Sequence, residues 1–554
     1  MKISDTIRYW NVITGIVLAS FFLIPSSSLS ADNLNEGRTF FVNQSWDELS
    51  RTAVAATLRE ISDRAYFYVE DRYWATLSQP QQNIFSNYLK DLGREFDQVI
   101  YPKETQFWGA EPNPGIDGEP KVTILLHDLT RGIGGYFETG NLYSKNISPT
   151  SNEREMVVVA VEAVGVSAKL FLAHEFQHLI SFNQKDLLNK ASEDVWLNEL
   201  RAEYANSVVG YNDTFQNSNL DRRLSAFVKD PNDSLTEWPN VPDDYAHAAL
   251  FAEYLAEQFG LAIISETIKM SSVGIASIDQ YLQSIGRPER FSDIFANWLV
   301  ALYKNDVSVD ARHGYQRSEL RNFRVSPRQL FVSYPGIIEL SQDLKPWEGS
   351  WHQINLSGLP EGKAVKIDFN AEAGFKLWYV DNFGNMAALP DNGAIINKGG
   401  LGHVVLLPVN ESKRSSFGSN EESRTFRAVV ELTDPPKPAL KNGDLIKRPH
   451  EPETYVIEGK YKRYLRPEVI ALYGHLDPAK VTAVDDEIFH SFTTANYVRN
   501  VNQEQVYAVW PDGTKHWLKI TPQQWDASGR DWGAIFIIND LELNYYQTGE
   551  NIIR

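Results

Sequence analysis

The sequence predicts a multidomain α+β protein: a mixed α/β plus helical domain, then a β-sandwich, then a duplicated small β-rich module. Three observations predict it. Residues 45–305 alternate between helix-period and strand-period hydrophobic runs. From about residue 330 the runs become short and are separated by Gly, Pro and Asn turns. The last part of the chain carries a weak internal repeat with a period near 52 residues. The expected division is residues 1–30 as a leader, 31–330 as the first domain (31–165 α/β, 166–330 helical), 335–434 as the sandwich and 444–554 as the duplicated module.

Residues 1–30 read as a secretory signal peptide. Lys2 and Arg8 give a positive start, Trp10 to Pro25 is almost wholly apolar, and Ser28-Leu29-Ser30 precedes a cut before Ala31. An uncleaved N-terminal anchor is the alternative. No later stretch is long and apolar enough to span a bilayer, so the rest of the chain is expected to be exported: secreted, periplasmic or at the cell surface. The chain has no cysteine, which excludes disulfides, a thiol nucleophile, an iron–sulfur cluster and Cys-ligated zinc. An exported chain without disulfides fits a bacterial source. A net charge of −19 repels phosphate backbones and argues against a nucleic-acid partner.

Residues 45–66 read as a helix with Ser45 as N-cap, and 66–71 (YFYVED) as a short strand. Residues 80–101 read as a second helix through Ile84, Tyr88, Leu89, Leu92 and Phe96. PNPGIDGEPKVTILLHDL is a turn followed by a buried strand, Val122 to Leu126. In that turn Asp117 and Glu119 are either calcium ligands or members of a solvated turn. GGYFETGNLYS (134–144) is a loop or edge strand, and EMVVVAVEAV (155–164) a β-branched strand able to pair with an extended peptide.

The run LFLAHEFQHLI follows. In HEFQH, His174 and His178 are four apart and project from one helix face, so both imidazoles can bind one tetrahedral metal, with Glu175 beside them to handle a proton. Glu199, in the helical run WLNELRAEY, is the candidate third ligand. Glu199 and Glu203 share a helix face, so one carboxylate can bind metal while the other accepts the free ring N–H of a ligating histidine. Helices follow at 243–260, 276–286 and 291–305. Tyr245 and His247 lie at the start of the first of these, as candidate donors to an oxyanion.

These residues resemble the gluzincin zinc peptidases, whose pattern is two histidines on one helix and a glutamate on the next. Within that class the chain is most similar to the hyicolysin-type bacterial neutral metallopeptidases, through FDQVIYPKE, PGIDGEPKVTILL, GGYF, AHEFQHLI and WLNELRAEYA. The resemblance implies one Zn2+ held by His174, His178 and Glu199, with Glu175 as general base and Glu203 orienting the first histidine. It implies a secreted endopeptidase acting on protein or peptide substrates. Leu200 stands where the family commonly has Gly after the glutamate, and Arg201 follows it. Aminopeptidase N-type relatives carry a Tyr beyond the third ligand, matched here by Tyr245, and an upstream Gly-x-Met-Glu-Asn motif that this chain lacks. That favours an endopeptidase over an exopeptidase. An inactive relative that binds a surface or polymer is the remaining alternative.

Beyond residue 345, SWHQINL, AVKIDFN, FKLWYV, HVVLLPV and TFRAVVELT read as sandwich strands, and DPPKPALKNGD (434–444) as a linker. TYVIEGKYKRYLR (454–466) matches VYAVWPDGTKHWLK (506–519), and KVTAVDDEIFHSF (480–492) matches AIFIINDLELNYY (534–546). Tyr464 and Trp517 fall in one slot of the repeat, as core residues or as contacts to a polymer or cell surface.

Overall fold

The computed structural model describes residues 31–331, 336–360, 362–435, 437–449 and 451–553; the expected leader, residues 1–30, lies outside them. The protein is a multidomain α+β chain with one mixed sheet, a helical layer and several β-rich sheets. It divides into two compact units, the first ending at Asp434 and the second running from Pro435.

The first unit opens with strands β1 (Gly37–Phe41), β2 (Ala53–Ile61) and β3 (Ala65–Glu70). The helix expected over 45–66 is therefore absent. Val54, Ala56 and Leu58 are buried at period two, and β2 pairs antiparallel with both β1 and β3, so cross-strand pairing overrides the helix propensity of Ala and Leu. Helices α1 (Asp71–Thr76), α2 (Gln79–Glu95) and α3 (Tyr101–Trp108) follow, the last two joined by a π-helical turn over Phe96–Ile100. Strands β4 (Val122–His127), β5 (Gly135–Phe137) and β6 (Met156–Ala160) complete a sheet of order β1-β2-β3-β4-β6-β5. The strand expected over 155–164 is thus interior: β6 is parallel to β4 on one side and antiparallel to β5 on the other. Both of its hydrogen-bonding edges are taken, and among the described residues the edge left free on this side is that of β5.

One face of the sheet buries Phe40, Leu58, Tyr66, Tyr68 and Met156. The other, with Phe67, Val69, Ile124, Leu126 and Val157, packs on the helical layer. That layer contains α4 (Ala168–Ser181), α5 (Val195–Val209), α6 (Asn219–Phe227) and α7 (Pro242–Phe259), then helices over Gly274–Ser284 and Phe291–Lys304. Gly210 ends α5 in the left-handed conformation at φ +92°, which a residue with a Cβ adopts at a cost. No single helix among the described residues is long and apolar enough to cross a membrane.

The sandwich has a four-stranded and a five-stranded sheet around Leu340, Ile354, Leu377, Leu406 and Phe426. The five segments read as strands all form strands; Arg328–Phe331, Ile337–Leu344, Met386–Ala388 and Ala394–Asn397 are added. Trp347 lies 4.7 Å from Phe291, ring to ring, so the sandwich shares the core of the helical layer.

In the second unit, two five-stranded sheets have the same order and the same sense of pairing. Each has a central three-stranded antiparallel meander flanked on both sides by a parallel strand. Tyr464 pairs with Tyr455 and Trp517 with Tyr507, the same slot in each copy.

Candidate metal centre

Helix α4 puts His174 and His178 one turn apart, with ring centroids 4.9 Å apart and Nε2 atoms 3.2 Å apart. Helix α5 brings Glu199 Oε2 to 3.2 Å from His174 Nε2 and 3.5 Å from His178 Nε2. The three side chains form a group that could hold a metal ion. Its edges fit a tetrahedral zinc, because two donors about 2.0–2.1 Å from one such ion stand about 3.3–3.4 Å apart.

The proton inventory points the same way. His174 Nδ1 faces Glu203 Oε1 at 3.3 Å, a carboxylate that favours the tautomer with the proton on Nδ1. In a neutral imidazole this leaves a lone pair on Nε2, aimed at a carboxylate oxygen and a second imidazole nitrogen. Three lone pairs converging at 3.2–3.5 Å require a cation, either a proton or a metal. Burial works against protonated His174, yet Glu199 and Glu203 drive its pKa well above the ordinary value. Burial likewise opposes Glu199, which the charges of His178 and His174 hold down to about 2.

Glu175 follows His174 directly on α4 and is 6% exposed. Burial pushes its carboxyl up to about 7, against the pull of His174 and His178. It lies against β5: a Cβ on Gly135 would stand 2.9 Å from Glu175 Cγ and 2.7 Å from the Val158 carbonyl oxygen. Only glycine lets the free sheet edge come this close to Glu175.

Glu203 is 3% exposed and fully engaged. Arg223 of α6 donates to both of its oxygens, Nε to Oε2 at 2.7 Å and Nη2 to Oε1 at 2.6 Å, and Asn219 Nδ2 donates to Oε2 at 2.8 Å. The Arg223 guanidinium also stacks 4.7 Å over the Tyr245 ring. Tyr245 is beside the site, its ring 6.1 Å from that of His174, with its hydroxyl donating to Asn240 Oδ1 at 2.6 Å. Burial and the carboxylates of Glu199 and Glu175 raise its pKa, so the phenol stays protonated.

The structure does not bring His247 to this site. Two residues apart on a helix, Tyr245 and His247 face different ways. His247 is 2% exposed, packs 4.6 Å from Phe227, and faces the carbonyls of Asp243 and Pro231. Asp117 and Glu119 are also elsewhere: Glu119 accepts from Tyr66, and Asp117 accepts from the Glu119 amide and lies 3.8 Å from Arg154. Leu200 and Arg201, which follow Glu199, are buried. Arg201 donates to Glu193 at 2.7 Å and to Thr267 at 3.0 Å, away from the metal group.

Sequence reasoning missed Arg223, Asn219 and Gly135. A buried carboxylate holding a histidine needs donors for its other lone pairs, so the Arg222–Arg223 pair was a signal, but no spacing rule connects α6 to α5.

The chain is 28% identical over 375 residues to the neutral metalloprotease ShpI of Staphylococcus hyicus, covering 62% of this chain and 78% of that protein. It is thus distantly similar to a neutral metalloprotease. No family model matches it. Two solved structures, the periplasmic inhibitors of g-type lysozyme from Salmonella Typhimurium and Escherichia coli, align over 20% of this chain and all of theirs. Their identity is 9% and their TM-scores are 0.15 and 0.14, too low to bear on fold or function.

Proposed function

We propose that the protein is a secreted, zinc-dependent endopeptidase of the gluzincin type. The observation that carries this reading is the triangle of His174, His178 and Glu199 at 3.2, 3.2 and 3.5 Å, with the buried carboxyl of Glu175 within reach of their charges. The distant similarity to a neutral metalloprotease supports the reaction class, and the apolar leader supports export.

His174, His178 and Glu199 would hold the ion. A zinc ion there would supply Lewis acidity and make water acidic enough to attack near neutral pH. Every other role belongs to the chain. Glu175 takes the proton of the attacking water and passes it to the departing amine. Arg223 and Asn219 fix Glu203, which fixes the tautomer and orientation of His174. Tyr245, exchanging its bond to Asn240, donates to the carbonyl oxygen as negative charge develops there. An extended substrate adds as a further strand to the free edge of β5, next to Glu175.

The test is hydrolysis of casein by the mature protein beside Glu175→Gln, with bound zinc measured in both. The substitution is expected to keep the metal and to lower kcat by about 10²–10⁴-fold, with chelation abolishing activity and zinc restoring it. Equal cleavage by both proteins, or a mature protein that binds no stoichiometric zinc, would overturn the reading.

A further inference from the structure

The duplicated module serves as its own control. Equivalent residues do equivalent structural work in the two copies. Lys462 and Lys515 each donate to the last carbonyls of the short helix in their own copy. Asp477 and Asp531 each cap a 3₁₀ turn. Where the copies differ at one place, the fold alone does not account for the difference.

They differ on one face. In the first copy that face carries Leu465, Val469 and Ile470, and it is buried against Ala534, Phe536 and Tyr546 of the second copy. Arg463 and Tyr473 of the first copy bind Glu542 across this junction. Among the described residues, the corresponding face of the second copy has no third copy against it. It forms an open groove of about 520 Å³.

The exposed end of a stacked repeat array is ordinarily polar, because it must be soluble. Here it gains tryptophans. Trp525, 2% exposed and packed in the core below the groove, is the fourth residue of its short helix, where the first copy has Ile470. Trp532 opens its 3₁₀ turn, where the first copy has Pro478. Trp517 takes the slot of Tyr464. All three line the groove. Trp532 is 50% exposed. Its ring is held by an Nε1 bond to Asp526 Oδ1 of 2.7 Å and lies 5.1 Å from Trp525, 30° from parallel. Among the described residues the indole N–H of Trp525 is buried and has no acceptor.

We propose that this groove binds a neutral sugar polymer. Fixed ring faces suit the C–H faces of sugar rings. The charged groups of the lining are one carboxylate, Glu504, and one ammonium, Lys519, with Thr521 between the apolar residues. That balance favours an uncharged, hydroxyl-rich ligand over an anion or a cation. The concave, open shape suits a chain that runs through it. The assignment is independent of the peptidase reading.

The test is retention of the full-length protein on two insoluble neutral polysaccharides, chitin and cellulose. Two full-length variants run beside it, Trp532→Ala in the groove and Trp510→Ala, an exposed tryptophan outside it. Thermal melting checks that each variant is folded. The expected result is retention of the wild type and of Trp510→Ala on at least one polymer, with binding by folded Trp532→Ala weaker by about tenfold or more, the loss typical of an aromatic anchor. A proline-rich peptide is included because such peptides also dock on aromatic grooves. Retention on neither polysaccharide, equal retention of Trp532→Ala, or binding confined to the peptide would each overturn the proposal.

Discussion

Arg223 shows how far the candidate metal group depends on a residue outside it. Its two bonds to Glu203 neutralise a carboxylate that is otherwise buried, and Glu203 in turn holds Nδ1 of His174. Arg223→Met is expected to weaken metal affinity about 10–100-fold, the usual effect of removing such a support. Competition with a chelator of known affinity measures it. A second buried network lies near the base of α5. Glu193 accepts from Arg201 and from the Gly274 amide. Burial raises its pKa, but Arg201 and Lys185 pull it below the ordinary value of 4.5. A carboxylate with a depressed folded pKa stabilises the protein above its unfolded pKa, and that stability is lost as pH falls through the folded value. Glu193→Gln is therefore expected to cost about 3–5 kcal/mol at neutral pH and to flatten the loss of stability below pH 4.5. Urea titrations at several pH values read both effects. At this scale the readable part of the site was the local part. His174 with His178, and Glu199 with Glu203, share helix faces by spacing alone. Arg223, Asn219 and Gly135 reach the site from other elements, and no spacing encodes that approach.

At the scale of elements, the wall beside Tyr245 is built by two parts of the chain far apart in sequence. Trp238 lies 5.1 Å from the Tyr245 ring, and its amide donates to the carbonyl of Gly418, in the loop between the last two sandwich strands. Glu421 of that loop donates its amide to Glu237, and Lys413 holds the Glu421 carboxylate. Removing residues 415–419 is expected to lower casein cleavage about tenfold or more while bound zinc stays stoichiometric, because small misplacements of a group near the reacting atoms are costly. Unchanged cleavage would show that Trp238 and Tyr245 keep their places without the loop. The strand pattern of the sandwich was readable because its apolar residues alternate between turns. Strand β2 was not, because Ala and Leu serve helices as well as strands and only its two neighbours decide. The interior position of β6 was hidden too, since a fully apolar strand does not announce which neighbour takes which edge.

For the whole molecule, the division at Asp434 carries a prediction of its own. A chain ended at Asp434 is expected to bind zinc and cleave casein with kcat/KM within about twofold of the full protein, as a compact unit with its own core does, while losing retention on polysaccharide. A truncated chain that is folded but inactive would show that the last 120 residues serve the reaction (554 − 434). The repeat was legible at this scale because its strand, hairpin and helix signals recur in one order. The stacking of one copy's face on the other was not, since Phe536, Tyr546 and Glu542 look like ordinary core and surface residues until the partner face is seen.

The glycine-lined edge of β5 also bears on which proteins this chain would cut. A substrate that must lie down as a strand beside Gly135 has to surrender its own helix or sheet over several residues first. Folded proteins expose such stretches only in brief local openings, whose frequency belongs to the target and not to the enzyme. On compact targets the cleavage rate would then follow the target's opening equilibrium, so that a destabilising mutation far from the cut site would speed digestion as surely as a better-matched sequence at it.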